Sequence, residues 1–438
     1  MPNPFDAVLV VSFGGPQGPD DVRPFLGNVL RGRRVTPERV EEVAHHYELF
    51  GGVSPLTRLA LRQAELLGAR LDERGHALPV YVGMRNWHPF LSDTLAAMSR
   101  DGVRRAVGFI AAAQRSYSSC TQYRENVDAA RAMLHEQRLR DVEVVYVGDW
   151  HAHPGFIEAN ATHIVDALAT LPADVRGRAR VIFTAHSIPV SMAQRYPYQR
   201  QMEETADAVA RRVRELRRDG KAEDSDVRLR PAATGENEVR LKPDATRDDN
   251  VRLKPDATRD NDLRLKPDGT RDNDLRLKPD ATRDNDLRLK PAATRDNDLR
   301  LKPDATRDNG VRLKPDATGE GSGNEWALVY QSRSGRPEDP WLGPDVCDYL
   351  REESAKGLAA AVLSPIGFLC DHVEVLYDLD VEAAEVCRGI GLPMARAKSV
   401  NDHPRFVDAM ADTVIDTIER YRRGTPLRVV SGGQAARS

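Results

Sequence analysis

Residues 360–382 read AAVLSPIGFLCDHVEVLYDLDVE, an apolar run that turns abruptly acidic. The run from 360 to 368 has the length and composition of a buried strand, and the acidic stretch after it reads as a helix with Val375, Leu376 and Leu379 on its core side. Glu374, Asp378 and Glu382 stand at i, i+4 and i+8, which on an α-helix aligns three carboxylates in one stripe. Like charges at that spacing weaken an isolated helix. Two readings stay open: a solvated acidic face, or a ladder of hard oxygen ligands and proton acceptors at the carboxyl end of a strand, where open α/β sheets bind their ligands.

The strand–loop–helix unit recurs on either side. DAVLVVSF at 6–13 is a valine-rich apolar run stopped by Gly14, Gly15 and Pro16. Further strands are expected at 79–84, 103–113, 181–184 and 326–330, and a new unit is expected to open near Val142. Helices are expected at 36–50, with Pro37 in the first turn, and at 56–73, 92–101, 156–171, 201–216, 345–356 and 404–422. This alternation predicts an α/β fold of two Rossmann-like halves, each a parallel sheet flanked by helices. The first half spans 1–148, with the helix at 404–422 packing back on it. The second spans 149–403 and is interrupted at 221–323.

The interruption is a 12-residue unit starting at 227, 239, 251, 263, 275, 287, 299 and 311, with the approximate consensus LRLKPDATRDND. Each copy carries a proline and one or two apolar residues, too few to offset the entropy of ordering it. The reading is a disordered, charge-balanced surface insertion in a helix–strand connection, where added length costs little.

The 438 residues suffice for two cored domains. With 64 Lys and Arg against 67 Asp and Glu, the chain lacks the basic excess of a nucleic-acid binder. Cys120, Cys347, Cys370 and Cys387 are scattered, which fits thiols in a reducing compartment better than disulfides or a clustered metal site. The first residues lack the basic and apolar regions of a signal peptide, and no run has the length of a membrane span. A cytoplasmic chain with no transmembrane segment is expected.

His186 follows the strand at 181–184, at the edge where ligands bind. Glu374 occupies the corresponding edge of a later strand. An imidazole and a carboxylate meeting in a cleft can bind a divalent metal or take protons from a substrate, and spacing alone does not separate these roles. Arg31 begins a basic stretch that is either a solvated turn or an anion-binding edge. No GxSxG, HExxH or Cys/His zinc pattern is present.

The chain resembles the ferrochelatases, enzymes that insert ferrous iron into porphyrins. The matching pieces are SFGGP at 12–16, HYELFGGVSPL at 46–56, TAHSIP at 184–189, QSRSGRPEDPWLGPD at 331–345 and GFLCDHVEVLYDLD at 367–380, in family order. Together with RNWHPF at 85–90 they look most like the actinobacterial-type enzymes that metallate coproporphyrin III. The resemblance implies a porphyrin cleft between the halves. It makes His186 and Glu374 the iron-binding and proton-accepting pair, facing each other across a slot that admits a flat tetrapyrrole. It makes Asp378 and Glu382 the continuation of an iron or proton path, and Ser54, Tyr123 and Arg31 porphyrin contacts. Phe13 stands where the family often has a tyrosine, so an axial oxygen ligand cannot come from that position. Iron is expected as substrate, with no organic cofactor and no [2Fe-2S] cluster, in a monomer that binds porphyrin and no nucleic acid. The alternatives are a protoporphyrin IX ferrochelatase, a chelatase for another tetrapyrrole and a non-catalytic porphyrin or haem chaperone.

Overall fold

In a computed structural model, residues 3–32, 35–228, 326–334 and 339–424 are described, with side chains only to 219 in the helix that ends the second span. The chain divides into one unit of residues 1–230 and 314–438 and a second of residues 231–313. The second unit, and with it nearly all of the predicted insertion, lies outside the described residues.

The first half runs β1 (Ala7–Ser12), α1 (Pro19–Val29), α2 (Pro37–Glu48), α3 (Pro55–Glu73), β2 (Val80–Met84), α4 (Leu91–Arg100), β3 (Arg105–Ile110), a π-helical turn at Tyr117–Thr121, α5 (Gln122–Glu136) and β4 (Glu143–Tyr146). Next come α6 (Pro154–Thr170), α7 (Ala173–Arg176), β5 (Arg180–His186), α8 (Val190–Ala193), α9 (Tyr198–Arg228), β6 (Trp326–Gln331), α10 (Val346–Ala355) and β7 (Ala361–Ser364). The last described elements are α11 (Val373–Val375), π-helical turns at Leu376–Ala383, α12 (Ala384–Gly389), β8 (Met394–Arg396) and α13 (Pro404–Arg422).

The eight strands among the described residues form two wholly parallel sheets, ordered β2-β1-β3-β4 and β6-β5-β7-β8. The same order occurs twice, so β5 and β7 repeat β1 and β3. Every residue of β1 is buried, because helices cover both faces of such a sheet and neither face can be polar. Its side chains alternate. Val8 and Val10 join a core shared with Val107 and Phe109 of the same sheet, Val181, Phe183 and Val362 of the second, and Phe156, Phe406 and Met410 of the helices between. Leu9 and Val11 point the other way, toward Leu95 of α4 and Val127 of α5. The second sheet repeats this on its outer face, where Ile182, Val329 and Leu363 meet Leu350 and Cys387. Trp150 centres the shared core, stacked on Phe109 at 5.3 Å with Phe156 edge-on at 5.3 Å. Helix α13 lies in this core beside α3, and Arg74, which caps the end of α3, reaches Asp408 at 2.8 Å. Among the described residues no helix is long and apolar enough to cross a membrane.

The run near Val142 forms β4 and closes the first sheet beside β3, inside the half expected at 1–148. Three expectations need correction. The strand at 360–368 ends at Ser364, because Pro365 has no N–H to extend the ladder. The strand expected at 181–184 continues to His186, which pairs with Gln331. The acidic helix is α-helical only at its two ends, and Leu376–Ala383 is π-helical.

Candidate functional site

Strand β5 carries His186 as its last residue, at the carboxyl edge of the second sheet. The imidazole Nδ1 lies 2.6 Å from the Ser187 carbonyl oxygen. A carbonyl only accepts, so Nδ1 carries a hydrogen, and in the neutral ring Nε2 keeps its lone pair. The strand end is held as well: Tyr198 donates its hydroxyl to the His186 carbonyl at 3.0 Å, and Ser187 Oγ donates to the Leu342 carbonyl at 2.7 Å.

Glu374 reaches His186 through a turn. After β7 the chain crosses the end of β5, where the Gly367 N–H donates to the Thr184 carbonyl at 3.2 Å. A Cβ on Gly367 would lie 2.8 Å from Ala185 Cα, so only glycine allows this approach. The crossing leaves Glu374 Oε2 3.9 Å from His186 Nε2, with the two side chains 43% and 34% exposed. The pair therefore does not face across a slot. A flat ring needs about 3.5–4 Å on each face, and 3.9 Å between the partners leaves no room for one. They stand side by side because β5 and β7 are neighbours in one sheet.

The segment bearing Glu374 is plugged into the first half. Val373 is buried with Val22, Phe25 and Leu26 of α1 and Ala44 and Tyr47 of α2. Tyr377 stacks on His46 at 3.5 Å and 13°. Burial, and then the charge of Glu374, push the Tyr47 hydroxyl well above its usual range. Burial also lowers the affinity of His372 for a proton, against the pull of Glu374, so this neighbour is neutral.

Asp378 and Glu382 follow along the π-helical turns. The Asp378 carboxylate accepts from Gln331 Nε2 at 3.1 Å and from the Ser332 hydroxyl. Burial pushes its pKa up to about 7, with Glu374 and Glu382 adding to the rise and Ser332 opposing it. Glu382 is also raised, by burial and then by Asp345. Because the π pattern bonds i to i+5, the three carboxylates do not follow the stripe expected of an α-helix. Since the ordinary aspartate value is 3.8, folded Asp378 binds a proton between about pH 4 and 7 that the unfolded chain does not. Stability is lost as pH rises through that window, by at most about 1.4 kcal/mol per unit. Asp378→Asn is expected to melt closer to wild type at pH 4.5 and to gain relative to it at pH 8; thermal midpoints at the two pH values measure this.

The other expected site residues lie in the first half. Ser54 is buried at the start of α3, against Gly15, where a Cβ would come within 2.6 Å of Ser54 Cβ. The Thr57 hydroxyl ties the same loop down, donating to the Gly15 carbonyl at 3.0 Å and accepting from its N–H at 3.1 Å. Tyr123 is buried on α5, and burial raises its hydroxyl pKa against the opposing charge of Arg85. The Arg85 guanidinium lies 4.6 Å from the Tyr123 ring centre and 5.9 Å from that of Phe13. Arg85, the first residue of RNWHPF, stands directly after β2, a placement visible in the sequence. Arg31 is exposed at the end of α1, donating to Asn28 at 2.7 Å, and Asn28 donates to the Asn86 carbonyl at 3.1 Å. After burial, the charge of Glu374 also raises the Tyr47 and Tyr123 hydroxyls.

Among the described residues no group of three or more His, Cys, Asp or Glu side chains is placed to hold a metal ion. His186 and Glu374 give one nitrogen and one oxygen donor, a set that can touch a metal in passing and leaves most coordination positions open. A cavity of about 760 Å³ lies elsewhere, between α3 and β2, lined by Leu61, Gly68, Tyr81 and Pro89 among others, and holds none of these residues.

The family model described as Ferrochelatase matches residues 5–225 and 311–418. A coproporphyrin III ferrochelatase of Streptomyces coelicolor is 37% identical over 436 residues, covering 97% of this chain and 89% of its own. One of Streptomyces griseus is 38% identical over 418 residues, covering 95% and 86%. A ferrochelatase of Rhodopirellula baltica is 36% identical over 412 residues, covering 94% and 86%. Among solved structures, a multi-domain Deinococcus radiodurans protein described as structurally similar to chelatases matches at TM-score 0.41 and 12% identity, over 94% of this chain and 55% of that one.

Proposed function

The chain belongs to the ferrochelatase family, and from that membership we propose that it inserts ferrous iron into coproporphyrin III to give the iron porphyrin of haem biosynthesis. It is a porphyrin metal chelatase, a lyase, with iron as substrate. The observation that carries the residue assignment is the His186–Glu374 pair, 3.9 Å apart, with the imidazole lone pair left on the nitrogen that faces the carboxylate.

The reaction replaces two pyrrole N–H protons by one Fe²⁺, so two protons must leave for each metal that enters. A planar ring hides its nitrogen lone pairs, and a cleft that bends the ring exposes them. His186 Nε2 accepts a pyrrole proton and passes it on before the next turnover. The Glu374 carboxylate stabilises the imidazolium so formed and offers an oxygen to the arriving iron. Asp378, with a pKa of about 7, exchanges protons near neutral pH, and with Glu382 it continues the path away from the pair. Ser54, Tyr123 and Arg31 contact the macrocycle or its propionates. Four cysteines without a disulfide support a cytoplasmic place of action.

The test is a side-by-side rate with coproporphyrin III and protoporphyrin IX under identical iron supply. The proposal expects kcat/KM at least about tenfold higher for coproporphyrin III, a gap of about 1.4 kcal/mol in transition-state binding. Faster turnover of protoporphyrin IX would transfer the assignment to that porphyrin. Porphyrin binding with no insertion of iron or zinc would make the chain a carrier.

A further inference from the structure

We propose that Arg396 is a positioning residue for Glu374, an inference that rests on the chelatase reading above. Among the described residues the Glu374 carboxylate has no hydrogen bond, only His186 at 3.9 Å. Its place is therefore inherited from the backbone that carries it. Arg396, the last residue of β8, holds that backbone on both flanks. Its Nη1 donates to Asp371 Oδ1 at 2.9 Å, and its Nε donates to Asp380 Oδ1 at 2.6 Å. One guanidinium thus spans the segment from before Glu374 to beyond Asp378.

The Asp371 end is fixed from further sides. Asp371 accepts from the Ser399 N–H at 3.1 Å and from Asn401 Nδ2 at 2.8 Å, and its own N–H donates to Asn401 Oδ1 at 2.9 Å. Asn401 is held in the left-handed region at φ 44°, and Gln63 of α3 donates to its carbonyl at 2.6 Å. Arg396 and Asp371 are each 14% exposed, so this is a shielded pair, whereas Asp380 is 38% exposed. A planar fork can serve two carboxylates in fixed directions, which the single ammonium of lysine does not match.

The experiment uses the full chain, with coproporphyrin III and ferrous iron. Arg396→Lys and Arg396→Gln are expected to lower kcat about 10- to 100-fold, the usual cost of losing an orienting partner behind a ligand, with porphyrin KM within about twofold. Asp380→Asn frees only the exposed end and is expected to show a smaller loss in the same direction, which guards against a misfolded Arg396 variant. In a Glu374→Gln background, Arg396→Gln is expected to cost nothing further, because a group acting through another loses its effect when that group is gone. Full additivity in that cycle, or lowered thermal midpoints with unchanged kcat, would overturn the proposal. A wild-type protein without any metal insertion would overturn the chelatase reading and this proposal together; wild-type turnover with indifferent Arg396 variants would overturn only the latter.

Discussion

His186→Ala is expected to lower kcat/KM for iron insertion by about 10³-fold, within the range that general acid–base groups contribute. The porphyrin dissociation constant, read from fluorescence quenching, is expected to stay within about twofold. The reason is geometric. The Ser187 carbonyl fixes the tautomer so that Nε2 is a free base, and alanine leaves no acceptor at the end of β5. Only part of the side chain is buried, so its removal opens no large core cavity and the fold survives. Near-normal turnover in this variant would refute the role given to His186.

Glu374→Gln is expected to cost about 10²-fold in kcat, again with porphyrin binding retained. Glutamine keeps the shape and loses the charge, so it cannot balance an imidazolium 3.9 Å away. At that separation, near a protein surface, opposite unit charges attract by about 4 kcal/mol before solvent screening, and the exposure of both groups reduces this. The variant is expected to show a higher KM for iron than wild type, since one of two donors to the metal is weakened. Unchanged iron KM together with unchanged kcat would remove Glu374 from the reaction.

Much of the fold could be read in advance where local chemistry decides it. β1 is visible as an unbroken valine run because both its faces are covered. α2 is announced by Thr36, whose side chain accepts from the Arg39 N–H, and by Pro37 at the first turn. α10 is announced by Asp345, which caps two N–H groups. What stayed hidden depends on partners far along the chain. β8 has only three residues, too short for any periodicity. The π-helical turns are a hydrogen-bonding choice without a residue signature. The closeness of His186 and Glu374 depends on Gly367 crossing Ala185. Arg396 reaches acids 16 and 25 residues upstream, a link that no local pattern contains.

Helix α13 carries a consequence for how the chain is made. Its Phe406, Met410, Val414 and Ile418 are buried among side chains of α3, α6 and both sheets. The segment is the last of the described helices to leave the ribosome, yet it completes the interior begun by the first strand. Until it emerges, a nascent chain holds an unfilled apolar furrow in its earliest-synthesised part. A chain truncated ahead of Pro404 is therefore expected to bind chaperones and to be degraded faster than the full chain, which pulse-chase labelling of the two would measure.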